Sequence, residues 1–247
     1  MFIRCLHADF VKMKSIPIVI VHIVIPVIIS VLFLLYYSFS NWDVNTKIEA
    51  FYQAVGIGFP ILIGIFTASI MEQEQNAGQF QNMLTLPQKR IVFMSKLSVL
   101  LLLSLFAVIF AAVIFGIGCY GILGIDAVSI RNHLMTAFIM WCSSIPLYIW
   151  QMILAFKFGK GVSVGAGIVS GLIDALLLTT LGNYAWKYIV FSWTGRIPYT
   201  YLRVISGTPE AGNELGSAIV IYSLFTIISM LYYLQWASRY EGGKILE

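Results

Sequence analysis

Charge is scarce in this chain. Asp, Glu, Lys and Arg together make up 11% of its 247 residues, against 60% for the apolar ones. A soluble domain carries about a quarter of its residues as charges, so the composition excludes a water-soluble globule and points to an integral membrane protein. Cysteine is also rare. Cys5, Cys119 and Cys142 are odd in number and widely separated, which fits neither a disulfide framework nor a zinc site. His7, His22 and His133 lie far apart and have no metal-ligand spacing. The phosphate-binding pattern G-x-x-x-x-G-K-[ST] is missing. Its nearest approach, Gly159-Lys160-Gly161, lacks both the hydroxyl that would meet magnesium and the earlier loop glycine. No cofactor is expected on the chain itself. The formal net charge of +4 comes from basic residues that flank apolar runs, so it does not indicate nucleic acid. There is no tandem repeat, low-complexity tract or separate soluble domain, and residues 1–247 read as one transmembrane domain.

What is present is oil in lengths that suit a bilayer. About 20 apolar residues cross the hydrocarbon core as a helix. Six segments qualify: 16–38, 52–71, 94–118, 134–156, 162–182 and 217–237. The first is too long for a signal peptide and has no small-residue cleavage site after it, so it reads as a retained span. The predicted fold is all-α, with six transmembrane helices.

Placing both termini in the cytoplasm puts ten basic residues on inner flanks: Arg4, Lys12, Lys14, Lys89, Arg90, Lys96, Lys157, Lys160, Arg239 and Lys244. Five remain outside: Lys47, Arg131, Lys187, Arg196 and Arg203. That asymmetry favours cytoplasmic termini, with 122–132 and 183–214 outside. Residues 1–14 set Phe2, Ile3, Leu6, Phe10 and Met13 along one side of a helix, a pattern for the inner headgroup layer. In the outer loop, aromatic rings from Tyr184 to Tyr201 suit the membrane interface. Trp186 and Trp193 are candidate contacts for a cationic amphipathic substrate, with Asp43, Glu49, Asp126, Glu210 and Glu214 adding weak attraction on that side.

Two helices carry features that could do more than span. On the fifth, Gly167, Ser170, Gly171 and Asp174 form one small polar stripe, suited to close packing against another helix or to lining a path. Asp174 as a proton relay gives the alternative of a proton-coupled secondary transporter. "GVSVG", residues 161–165, matches G-x-S-x-G and, with His22, gives the alternative of an intramembrane serine protease. No strand-to-helix elbow or oriented base is predicted there.

The polar stretch "MEQEQNAGQFQNMLTLPQKRIV", residues 71–92, falls between the second and third spans. Phe80, Met83 and Leu84 make one apolar edge of a short helix that Pro87 stops, while Glu72 and Glu74 open it and Lys89 and Arg90 close it. Its order of Glu72, Glu74, Gly78, Leu84, Pro87, Arg90 and Lys96 resembles the cytoplasmic coupling segment of ABC-2 type transporter permeases. The wording "EQEQNAGQFQNML" and the opening "ADFVKMKSIPIVIVHIVIPVIISVLFLLYYSF" are most similar to permease subunits of lantibiotic-immunity ABC transporters, of the E or G type. The resemblance implies a non-catalytic subunit of an exporter in the bacterial cytoplasmic membrane. It also implies a second, related permease and a separate ATPase, in two copies, that binds ATP and Mg. The substrate implied is a cationic antimicrobial peptide. Coupling to the ATPase would fall to Glu72, Glu74, Gly78, Phe80, Met83, Leu84, Pro87 and Arg90.

Overall fold

The computed structural model describes residues 1–13, 17–125 and 128–242. Lys14, Lys244 and Asp126, which entered the charge arguments above, lie outside the described residues. Helices dominate: α1 (Phe2–Met13), α2 (Ile18–Phe39), α3 (Val44–Asn76), α4 (Gln81–Leu84), α5 (Lys89–Gly121), α6 (Ile130–Phe158), α7 (Lys160–Leu178), α8 (Trp193–Ile205) and α9 (Ala211–Ser238). Six of them, α2, α3, α5, α6, α7 and α9, are long and apolar enough to cross a membrane. The protein is therefore an all-α, multi-pass membrane protein.

Length separates the spans. At 1.5 Å per residue, the 33-residue helices α3 and α5 run about 50 Å, well beyond the ~30 Å hydrocarbon core. The 19-residue α7 is only just long enough. The extra turns of α3 and α5 carry the charges of the 71–92 stretch out of the oil, which is why polar sequence can follow a span without breaking its helix.

Between hydrocarbon-solvated helices the drive to associate is packing and hydrogen bonding, not exclusion of water. The inner helices α3, α5 and α6 meet through both. Phe51 stacks on Phe115 at 3.7 Å, and the Tyr52 hydroxyl lies 3.0 Å from His133 Nδ1. Polar tips also cross between helices: Trp141 Nε1 donates to the Leu101 carbonyl, Tyr222 to the Cys142 carbonyl and Tyr233 to the Phe93 carbonyl. The tightest seam joins α3 to α7. A Cβ on Gly64 would come 2.7 Å from the Ser163 carbonyl, and one on Gly167 2.9 Å from the Pro60 carbonyl. By contrast α9 and α2 present rows of exposed Ile, Leu and Val, the surface expected against lipid.

Within the 183–214 stretch, expected as an outer loop, residues 192–198 are buried in the bundle, while 183–185 and 205–207 are exposed. After α7 the chain makes three short 3-10 turns and enters α8, whose residues 193–198 are all buried. A Cβ on Gly56 would lie 2.6 Å from the Gly195 Cα. Gly56 is twelve residues into α3, about 18 Å from its start, so the start of α8 dips deep between α3, α6, α7 and α9. Its amphipathic pattern is thus satisfied by protein and not by headgroups. Irregular backbone at such depth is tolerated because protein surrounds it. Arg196 shows how: it donates to the Leu177 and Thr179 carbonyls and to the Asn183 side chain, supplying partners to the end of α7.

Candidate functional site

At the end of the bundle that holds α1 and the end of α9, α3 and α5 project with the turn 77–88 between them. Three successive residues there have positive φ: Gly78 at 130°, Gln79 at 49° and Phe80 at 66°. For Gln79 and Phe80 this conformation costs about 1–3 kcal/mol each. The compensation is visible at Phe80, whose amide donates to the Glu74 carbonyl at 3.3 Å. Its ring is 4% exposed, 5.9 Å from the Phe156 ring and 6.2 Å from the Tyr240 ring. Burying such a side chain contributes about 1.5–3 kcal/mol.

This reverses the expected orientation of the segment. Phe80 and Met83 were read as an apolar edge available to a partner, yet both are buried in the chain's own core, and Leu84 packs partly against it. The left-handed residues turn the edge inward. What faces outward is Gly78, Gln79, Gln81, Asn82, Thr85, Leu86, Pro87, Gln88 and Arg90. Lys89 donates to the Tyr240 carbonyl, and Arg90 lies 3.4 Å from the Ser238 hydroxyl, so the basic pair ties this turn to the end of α9.

Beneath the turn lies a charge cluster. Lys96 on α5 is 2% exposed and meets Glu74 of α3 at 2.6 Å and Asp9 of α1 at 2.9 Å. Lys12 reaches the same Glu74 oxygen at 2.7 Å, Ser95 donates to Asp9, and Gln73 donates to the Lys12 carbonyl. Among the described residues the cluster joins two carboxylates to two ammonium groups. Glu74, expected as an external contact, is thus an internal ion partner at 2% exposure. Glu72 is half-exposed and pairs with Lys160 at 2.9 Å across α3 and α7, an exposed contact of small energetic weight.

Asp9 was not singled out in the sequence, yet it and Met13 are the buried residues of α1, while Phe2, Ile3 and Phe10 remain exposed. A lone acid on a basic helix, with an unexplained Lys96 entering an apolar run, was the available signal.

The α7 stripe is also internal. Gly167 and Gly171 pack against α3 backbone, and a Cβ on Gly171 would meet the Ile57 carbonyl at 2.8 Å. Ser170 donates to its own helix at Ala166. Asp174 is fully buried, accepts a hydrogen bond from Thr194 at 3.1 Å and lies against Gly195 of α8. The stripe is a packing surface toward α3 and α8 of the same chain, not one left open for a second permease.

Trp186 and Trp193 are 0% and 1% exposed. Trp186 Nε1 donates to Glu214 at 2.8 Å and Trp193 Nε1 to the Lys187 carbonyl at 3.2 Å, so both rings are held inside the chain and present almost no surface to a substrate. Tyr184 and Tyr188 are the exposed rings there.

Ser163 carries none of the geometry of a nucleophile. Its hydroxyl bonds to Thr67, to the Gly64 carbonyl and to the Gln151 amide, within the α3–α6–α7 contact. Among the described residues no group of His, Cys, Asp and Glu side chains is gathered that could hold a metal ion.

A family model described as ABC-2 family transporter protein matches residues 5–182, a stretch that includes the charge cluster, the 77–88 turn and the α3–α7 seam. Neither a curated protein nor a solved structure matches the chain.

Proposed function

Since the chain belongs to the ABC-2 transporter family, whose members form the non-catalytic transmembrane part of ABC transporters, we propose that it is one permease of a lantibiotic-immunity exporter. In this reading it lifts a cationic antimicrobial peptide out of the bacterial cytoplasmic membrane. The 77–90 segment and both termini face the cytoplasm, a placement supported by the ten-to-five excess of basic residues at that end. A separate ATPase, in two copies, binds ATP and Mg and docks on the segment, and a second related permease completes the transport path.

The observation that carries the coupling is the build of the segment. Phe80 and Met83 clamp it from within, and the Asp9–Lys96–Glu74–Lys12 cluster fixes its base to α1, α3 and α5. A force applied at Gln81, Leu86 or Pro87 is therefore handed to two long spans at once. The expected coupling residues divide accordingly: Gly78, Pro87 and Arg90 lie on the docking side, while Glu74, Phe80 and Met83 hold the shape.

Peptide as substrate rests on the similarity of residues 8–100 to immunity permeases. The test is to express the chain with its neighbouring ATPase and sister permease in a sensitive bacterium and expose it to a cationic lantibiotic. Survival should rise only when all subunits are present and the ATPase is active. An assembled, ATP-hydrolysing complex that leaves sensitivity unchanged would keep the transporter and overturn the substrate.

A further inference from the structure

The spans α2, α3 and α5 do not close on one another. α2 lies along α5 and touches α3 sparsely, leaving a cavity of about 330 Å³ whose walls include His22, Pro26, Val55, Phe66 and Ala107. That volume is at the lower end of ligand pockets, about 300–1,000 Å³. Its wall residues are apolar except His22 and Ser104, and the Ser104 hydroxyl already donates to the Leu101 carbonyl.

His22 is 3% exposed and its ring stacks on Phe66 at 4.1 Å. Its Nδ1 lies 2.7 Å from the Ile18 carbonyl. A carbonyl only accepts, so Nδ1 carries the hydrogen and the neutral ring offers a lone pair at Nε2. Among the described residues that Nε2 is buried without a partner. Pro26, four residues on, has no N–H to give to the His22 carbonyl. A buried acceptor left unpaired costs about 1–3 kcal/mol.

The cavity is polar at one end only. His22 is five residues into α2, near the end of the span that adjoins α1, and the wall continues to Ile29, seven residues or about 10 Å further along the helix. A buried acceptor at one end of an otherwise apolar slot is the shape of a membrane amphiphile's head and tail.

We propose that this slot binds a single-chain membrane amphiphile whose head carries a hydroxyl hydrogen, with the hydroxyl donating to His22 Nε2 and the alkyl chain lying between α2, α3 and α5. The site is separate from the 77–90 docking segment and does not depend on peptide export.

The test uses the full chain in phosphatidylcholine vesicles and a photoactivatable long-chain alcohol, with crosslinks mapped by mass spectrometry. Labelling should saturate and fall on residues 21–29, 55–66 or 104–111. Unlabelled alcohol should compete at least about fivefold better than its methyl ether, which keeps the oxygen but has no donor hydrogen. His22→Phe, which keeps a ring over Phe66, should remove the difference between alcohol and ether. Ala107→Phe should block both ligands by filling the slot. Equal competition by alcohol and ether on the unaltered chain overturns the proposal without recourse to any variant. So does a preference that survives His22→Phe, or labelling that survives Ala107→Phe, in protein whose melting temperature is unchanged.

Discussion

Lys96 holds Glu74 at 2.6 Å where each residue is 2% exposed, so the end of α3 and the start of α5 are joined by an ion pair shielded from water. Charges removed from water are costly unless paired, and removing one partner of a buried pair typically costs about 3–5 kcal/mol. Lys96→Met should therefore lower the melting temperature sharply and open the 77–88 turn to protease. Adding Asp9→Asn and Glu74→Gln should restore much of the loss, because the stranded carboxylates disappear. A single variant as stable as the parent would mean the cluster is not a structural joint.

Phe80 and its outward neighbours should separate stability from coupling. Phe80→Ala empties a buried site and is expected to cost about 3–5 kcal/mol, read as a fall in melting temperature of the isolated chain. Gln81→Ala with Leu86→Ala trims two outward-facing side chains, so the isolated chain should lose little stability while ATPase association or peptide-stimulated hydrolysis falls. Thermal melting and co-purification distinguish the two effects.

The α3–α7 seam predicts a contrast between glycines one turn apart or less. Gly167→Ala would press a methyl group 2.9 Å from the Pro60 carbonyl, an overpacking expected to cost about 1–3 kcal/mol. Gly165→Ala meets nothing within 4 Å and should be neutral or gain up to about 1 kcal/mol from helix propensity. Melting curves of the two variants in the same detergent decide it. Similar behaviour would deny the seam its close contact.

Trp186→Leu with Trp193→Leu should now act through folding. Both rings are buried and both indole N–H groups are hydrogen-bonded, so the pair should lower stability by several kcal/mol and reduce assembly. A variant that assembles normally and loses only peptide protection would return the rings to a recognition role.

The fold was legible where hydropathy decides it. Six apolar runs became six spans because a bilayer leaves the backbone little choice but a helix. The 71–92 stretch was also legible as a projecting turn. Side-chain direction was not: the 3.6-residue period placed Phe80, Met83 and Leu84 together, but three positive φ angles at residues 78–80 turned them toward Phe156 and Tyr240, which are far away in sequence. The stripe of Gly167, Gly171 and Asp174 was recognised as a packing face, while its partner, α3, depends on which small residues oppose it. Trp186 and Trp193 looked like an interfacial belt because a buried amphipathic helix and a headgroup helix share one pattern. Composition does not distinguish the protein interior from the membrane surface.

In the proposed transporter the outward edge of the 77–90 segment meets a cytoplasmic ATPase. The direct measurement places single cysteines at Gln81 and, as a control, at exposed Asn213 at the opposite end of the bundle. Cys5, Cys119 and Cys142 are removed, and the chain is co-expressed with the neighbouring ATPase. Treating cells with a membrane-permeant bifunctional crosslinker should join the Gln81 position to the ATPase and leave Asn213 accessible to an impermeant thiol reagent from outside. A crosslink from Asn213 with none from Gln81, or external labelling of Gln81, would contradict both the orientation and the coupling.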